Sequence, residues 1–474
     1  MRRGLTLLLA ALALALAAGG LRLIRSEDQA AMPEQTAAPS DEAYEMMYER
    51  PLCQLSGIQV TLASGESYSV STSMAFDKNG SLLGVYSTLG QPLTVDGRED
   101  FALDATAYQM MLLAAQGIPA TAHYPGLDLD ACGLTSPKAT LRIAYTDGSS
   151  MMLRIGSKTA SGSSCYVTMT DSDEVYLVPY DFYDVMTRPL KDQHTLPGAS
   201  AKSASDAVQI ADDGTDEGRI IAAQQSEKSR VNKWALTSPV AHDASEDSVT
   251  QFVQGLCAVH AEGYVTTVYD VQGLADYGLD QPTRLVAVFG DGTLRDLSVG
   301  NDAGNGLVYV RMDQTGDIYT VGRSQLTFAT FATLDRLMDR YVDLVPANKV
   351  QEVRIDTPAA SWVMTQRWAD ESAGMPESCA IGSASLEQTE FSEVYAALVG
   401  LSFDKTAPKN VENGAWLATI TYCLRNGENR EIKAYAYDDY YDVIATSGKA
   451  RLLVRHKRVE ALLKKLEDYP RETD

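Results

Sequence analysis

Residues 132–157, CGLTSPKATLRIAYTDGSSMMLRIGS, and residues 277–301, YGLDQPTRLVAVFGDGTLRDLSVGN, are one pattern written twice. Gly133-Leu134-x-x-Pro137 aligns with Gly278-Leu279-x-x-Pro282 at an offset of 145 residues. Asp147-Gly148 aligns with Asp291-Gly292, and Gly156 with Gly300, at 144. Tyr166 and Tyr176 align with Tyr309 and Tyr319 at 143. An offset that drifts one residue at a time is what small loop deletions leave behind, and such self-similarity marks a repeat architecture.

The physical content of the pattern is a hairpin. Leu285, Ala287 and Phe289 alternate with Val286 and Val288, and after Gly290-Asp291-Gly292 come Leu294, Leu297 and Val299. Asp-Gly between two such runs predicts a tight turn, because the turn needs a positive φ that glycine adopts freely. Residues 307–312 and 317–321, split by Gln314-Thr315-Gly316, predict a second hairpin and so a four-stranded antiparallel meander. Ahead of it, Val249, Phe252, Val253 and Leu256 fall at helical spacing, with Asp243 and Glu246 arranged as a capping box. Tyr108, Met111, Leu112 and Ala115 repeat that spacing after Asp104. A weaker third copy has Phe391, Val394, Tyr395 and Leu398, then a hairpin turning at Asn426-Gly427, but no Gly-Leu-x-x-Pro.

Short apolar strands open the copies at Ile58, Ala207 and Val350. Helices are predicted to close the second copy (Leu334, Met338, Tyr341) and the third (Val459, Leu462, Leu463, Leu466). The expected fold class is therefore α+β: three tandem diverged repeats, each an antiparallel sheet with amphipathic helices. Their expected bounds are 51–190, 206–345 and, for the degenerate copy, 349–470, each large enough for its own core. Residues 191–205, KDQHTLPGASAKSAS, have linker composition.

The N-terminus sets the expected compartment. Arg2 and Arg3 precede an apolar run from Gly4 to Leu21, closed by Arg22 and Arg25. This length sits at the lower limit for a spanning helix, so residues 1–25 are read as a signal anchor or transmembrane helix. Ala15, Ala17 and Ala18 leave cleavage as a secreted form the alternative. Arg2 and Arg3 would stay inside and place the bulk of the chain extracytoplasmic, on a single-pass cell-membrane protein. Residues 26–50 are rich in Ala, Pro and acid, the composition of a flexible tether. Forty basic against 63 acidic residues give a net charge of −23, which repels nucleic acid and anionic headgroups.

The order Trp234-x-Leu236, helix, Tyr277–Pro282, Gly-bearing hairpin and Val299-Gly300-Asn301 resembles the bacterial family known as domain of unknown function 4340. The resemblance is clearest over residues 206–345 and looser over 56–190, where Pro92-Leu93-Thr94 replaces the Trp element. It implies one N-terminal spanning segment and an extracytoplasmic accessory role beside an ABC transport system of the gliding-motility type. The family has no established catalytic residues, so none are carried over.

Motifs of catalysis are scarce. Five histidines (His123, His194, His242, His260, His456) are too scattered for HExxH, and neither GxSxG nor a phosphate-binding glycine loop occurs. Six cysteines without CxxC spacing read as buried small hydrophobes. The acidic loops at 76–81 and 211–218 lack the ligand order of a calcium loop and read as solvated turns. Tyr435, Tyr437, Tyr440 and Tyr441, interleaved with Asp, read as a half-exposed strand, with a recognition surface as the alternative. No cofactor, metal or catalytic residue is assigned. The expected function is non-enzymatic binding or scaffolding with protein partners in a transporter or envelope complex. A hydrolase built on a carboxylate pair and a small-ligand or cation-binding protein are the competing readings.

Overall fold

In a computed structural model, the described residues are 45–471 apart from 73–92, 99, 215–217, 226–230, 269, 371–373, 409–410, 412 and 448. The expected N-terminal helix, residues 26–44 of the tether, Pro92 and the acidic loop at 76–81 lie outside them. Three large antiparallel sheets follow one another along the chain, with a two-stranded ribbon joining Glu45–Met46 to Pro119–Ala120.

The first sheet is built from Leu55–Leu62 (β1), Ser67–Thr72 (β2), Leu93–Val95 (β3), Ala122–Pro125 (β4), Ala139–Tyr145 (β5), Ser150–Lys158 (β6), Ser164–Met169 (β7) and Glu174–Pro179 (β8). Helix Ala105–Gln116 (α1) lies between β3 and β4, and Tyr180–Met186 (α2) follows β8. The spatial order is β3-β2-β1-β5-β6-β7-β8-β4.

The second sheet contains Ala207–Asp212 (β9), Ile220–Gln224 (β10), Trp234–Ser238 (β11), His242–Asp243 (β12), Gly263–Thr267 (β13), Thr283–Phe289 (β14), Leu294–Gly304 (β15), Leu307–Met312 (β16) and Asp317–Gly322 (β17). Its helices are Glu246–Ala258 (α3), Val271–Ala275 (α4), Thr327–Phe331 (α5) and the single turn Leu334–Leu337 (α6). The order is β12-β11-β10-β9-β14-β15-β16-β17-β13.

The third sheet contains Val350–Asp356 (β18), Ser361–Arg367 (β19), Ser378–Ile381 (β20), Ala384–Ser385 (β21), Lys405–Thr406 (β22), Trp416–Leu424 (β23), Asn429–Ala436 (β24), Tyr441–Thr446 (β25) and Arg451–Arg455 (β26). Gln388–Val399 (α7) precedes β22, and His456–Leu466 (α8) ends the described chain. Its order, β21-β20-β19-β18-β23-β24-β25-β26-β22, is the plan of the second sheet strand for strand. Among the described residues, the first sheet differs in having one strand fewer at the outer edge of β3.

The α+β expectation is corrected. Strands take 42% and helices 22%, so the protein is mainly β. Two physical reasons account for the difference. After each long helix the chain lays down one more strand (β4, β13 or β22) on the far edge of the sheet, which a reading of the meander alone misses. The closing helix expected over Leu334–Tyr341 shrinks to one turn, with Met338 already extended.

Each sheet has two different faces. Strand alternation buries Ile58, Val60, Leu141 and Ile143 against α1, and cross-strand registers such as Ile58↔Ile143 and Val60↔Leu141 stack them. On α3, Val249, Phe252, Val253 and Leu256 are all buried against the second sheet. Burying four such side chains contributes about 6–12 kcal/mol gross, which ordering entropy largely offsets. The capping of α3 is also corrected: Ser245, not Asp243, accepts the Ser248 N–H at 3.3 Å, while Asp243 is drawn into β12. The segment read as tether ends earlier than expected. Met47 is buried, and its N–H donates to the Ile118 carbonyl at 3.0 Å.

Candidate functional site

Two places in this fold gather residues in ways a plain sheet does not require: the crossover that returns the chain to the sheet centre, and the junctions between sheets. The crossover holds the Gly-Leu-x-x-Pro residues. Gly133 and Gly278 adopt φ of +70° and +67°, the left-handed region where a side chain is strained. A Cβ on Gly278 would stand 2.4 Å from Asn301 Oδ1, and one on Gly300 would stand 2.2 Å from the Tyr277 carbonyl. The first sheet repeats this geometry: a Cβ on Gly156 would lie 2.3 Å from the Cys132 carbonyl. The close approach permits one more hydrogen bond, Asn301 N–H to Tyr277 O at 2.7 Å, matched by Ser157 N–H to Cys132 O at 2.8 Å.

Leu134 and Leu279, held by this turn, drop into small apolar clusters on the sheet face opposite the long helix. Leu134 packs with Cys132 and Val175, and Leu279 with Leu274 and Ile318. Pro137 and Pro282 sit just before β5 and β14 and are partly buried. In the third sheet Gly414 takes over: its N–H donates to the Ala436 carbonyl at 3.1 Å, and a Cβ would meet that oxygen at 2.2 Å. Sequence comparison missed it because no Leu-x-x-Pro follows. These signature residues brace the crossover.

The hairpin turns are equally regular. Gly148, Gly292 and Gly427 have φ of +83°, +82° and +87°. The preceding Asp147, Asp291 and Asn426 each accept the N–H two residues on, from Ser149, Thr293 and Glu428. Only the glycine is left-handed, so these are type I turns closed by a glycine bulge rather than two-residue mirror turns. Lys202 also pairs with Asp291 and holds its carboxyl well below the usual range. Trp234 opens β11, is buried, and pairs in register with Gln224.

The junctions use residues that sequence reasoning read as linker. Between the first two sheets, the chain after α2 returns to the segment before α1. Asp104 N–H donates to Gln193 O at 2.8 Å and Thr195 N–H to Ala102 O at 2.7 Å. It then meets the next sheet through Ala261 N–H to Pro197 O at 2.9 Å. The second junction repeats this with Ser245 N–H to Leu337 O at 2.8 Å, then Phe403 N–H to Arg340 O at 3.1 Å. An aromatic contact closes each: Phe101 against Tyr264 at 5.5 Å between centroids, and His242 against Phe403 at 5.8 Å. At the first, buried His194 stacks on Tyr264 at 4.0 Å, and Arg98 donates to the Tyr264 hydroxyl at 2.7 Å.

The buried carboxylates serve separate local networks. Asp296 receives the Arg284 guanidinium and Gln314 Nε2, while Arg295 reaches Asp313 at 2.7 Å and the Val259 carbonyl at 2.6 Å. Asp212 accepts the Gly214 N–H at 2.8 Å, and burial pushes its carboxyl up. Asp442 lies 3.1 Å from Nδ1 of His456; burial raises the carboxyl, and the carboxylate raises the half-exposed imidazole above 6.5. His123 reaches Glu45 at 2.7 Å on the surface, and exposed His260 Nδ1 lies 3.3 Å from the Ala258 carbonyl. Cys132, Cys165, Cys257 and Cys379 are buried, and burial raises their thiols, that of Cys165 to about 12. Among the described residues no three His, Cys, Asp or Glu are placed to hold a metal ion, and no helix is long and apolar enough to cross a membrane.

Trp234 in β11, the buried helix α3 and the crossover at Gly278 occur in one continuous stretch of chain. Residues 234–416 match the family model described as Domain of unknown function (DUF4340). The similarity thus starts at the buried Trp234 and runs through the second sheet, across the second junction and into the third sheet as far as Trp416. No curated protein and no solved structure matches the chain.

Proposed function

We propose that this protein is a non-enzymatic binding scaffold, anchored through residues 1–25 and working on the extracytoplasmic face with a membrane protein complex. An ABC transport system is the partner class that the family resemblance suggests. The observation that carries the reading is the repeated junction: the same backbone pairings and aromatic contact couple each sheet to the next, which suits a surface presented in fixed register. The buried carboxylates support it as well, since their bonds hold strands and turns of the chain itself. Three tandem repeats, bounded near 51–190, 206–345 and 349–470, remain the domain division we favour.

Cross-linking in intact cells, followed by mass spectrometry, tests the proposal. The expected result is a small, recurring set of membrane-protein neighbours, lost when residues 1–25 are deleted although the purified chain still unfolds cooperatively. A deleted form that restores full function as a free secreted protein would overturn it.

A further inference from the structure

The three crossovers differ in length, and the difference exposes a surface. Thirteen residues (126–138) link β4 to β5 and fifteen (268–282) link β13 to β14, but only nine (407–415) link β22 to β23. In the second sheet the longer connection carries Leu274, Tyr277 and Leu279 over the outer face, where Tyr277 packs edge-on against Tyr309 at 5.0 Å. The short crossover of the third sheet supplies Val411, with Ala407 beside it, over Val443 and Leu453.

What it leaves bare is aromatic. Trp416 and Tyr435 are register partners on β23 and β24, and a shift of register between Trp416 and Ala418 sets them off from the buried pair Ala418 and Ala434. Tyr437 follows directly on the end of β24. Trp416 is 38% exposed, Tyr437 42% and Tyr440, in the following turn, 75%. Exposed Asp438 and Asp439 lie between the two tyrosines, and no cation among the described residues pairs with either. Nearby cations are already engaged: Lys433 with Glu431 at 2.8 Å, Lys405 over the Tyr441 ring at 5.3 Å, Arg451 with the Val411 carbonyl. In all three sheets the crossover packs on the same two strands, β7 and β8, β16 and β17, or β25 and β26, and in the third the rim beside it carries negative charge.

We propose that this strip takes a lysine- or arginine-bearing segment of a partner protein, its cations lying over Trp416 and Tyr437 and pairing with Asp438 and Asp439. Aromatic faces attract cations through the ring quadrupole, and adjacent carboxylates add a screened Coulomb term. The proposal rests on the binding reading above and narrows it to one surface.

The test uses the purified full chain in detergent and three labelled peptides of equal length, built on Gly-Arg, Gly-Ser and Gly-Glu repeats, with chitotetraose as a neutral sugar probe. The Gly-Arg peptide should bind and the other probes should not. The pair Trp416→Ala and Tyr437→Ala, which leaves net charge unchanged, should weaken it by roughly tenfold, as should Asp438→Asn with Asp439→Asn. Tyr437→Ala alone, at an exposed position beyond the end of β24, provides the readout if the Trp416 variant unfolds. Unchanged affinity in the aromatic variants would reduce binding to diffuse attraction by a chain of charge −23 and overturn the proposal, as would chitotetraose binding at these residues in place of the peptide. In-cell cross-links that map away from β23–β25 would remove this surface but leave the scaffold; an absence of recurring neighbours would remove the scaffold itself.

Discussion

Glycine at position 278 answers two demands that can be separated by experiment. Gly278 and Gly292 share a left-handed backbone, at +67° and +82°, but only Gly278 is crowded. A Cβ there would stand 2.4 Å from Asn301, whereas one on Gly292 would meet nothing within 4 Å. Alanine at either position meets the left-handed penalty of roughly 1–2 kcal/mol. Gly278→Ala must also displace Asn301, so its urea midpoint should fall further than that of Gly292→Ala. Equal losses would mean that the crossover contact carries no stability. His456 offers a second residue-level test. Its pairing with Asp442 favours the imidazolium in the fold, so the stabilisation is complete below about pH 6.5 and fades as the pH rises through the raised folded value. Asp442, raised chiefly by burial, also favours its neutral form in the fold, so its own contribution declines as pH rises above 3.8. NMR titration should find His456 above the ordinary histidine value, and Asp442→Asn should lower it.

At the level of elements, periodicity proved legible where one face of an element is buried and the neighbours are local. Phe391, Val394, Tyr395 and Leu398 keep helical spacing because α7 packs one stripe on the third sheet, and all four are buried. Tyr435 and Tyr441 lie in strands, while Tyr437 and Tyr440 stand out of them, so the tyrosine-rich segment is strand and surface together. Edge strands were not legible. β22 is two residues long and β12 is His242–Asp243, neither of which carries alternation; pairing with a neighbour distant in sequence makes them strands. The same holds for residues 191–205. Loop-like composition says that a segment cannot form its own core, yet it does not prevent two sheets from burying Gln193 and His194 between them. Gly414 was hidden for a related reason, since its role is defined by the Ala436 carbonyl opposite and not by its sequence neighbours.

For the molecule as a whole, the junctions decide whether three sheets behave as three proteins or one. A single apolar cluster runs from Met47 and Leu55 in the first sheet through Tyr264 to Leu466 at the end of α8, so no sheet can unfold without exposing core side chains of the next. Small coupled units of this kind unfold in one transition when their interfaces outweigh the differences in their own stability. Calorimetry of the wild-type chain should therefore give one endotherm, with calorimetric and van't Hoff enthalpies in agreement. Tyr264→Ala removes the ring that stacks on His194 and the hydroxyl that receives Arg98, at a cost of about 3–5 kcal/mol by analogy with other large aromatic truncations. Because that loss falls on the interface, the first sheet should melt separately from the other two, and the variant should show two resolved transitions. Val249→Ala, buried beneath α3 within the second sheet, serves as the control: it should lower the single transition without dividing it. If the wild-type protein itself melts in three independent steps, the repeated backbone pairings at the junctions are contacts without coupling, and the fixed register on which the scaffold reading depends is lost.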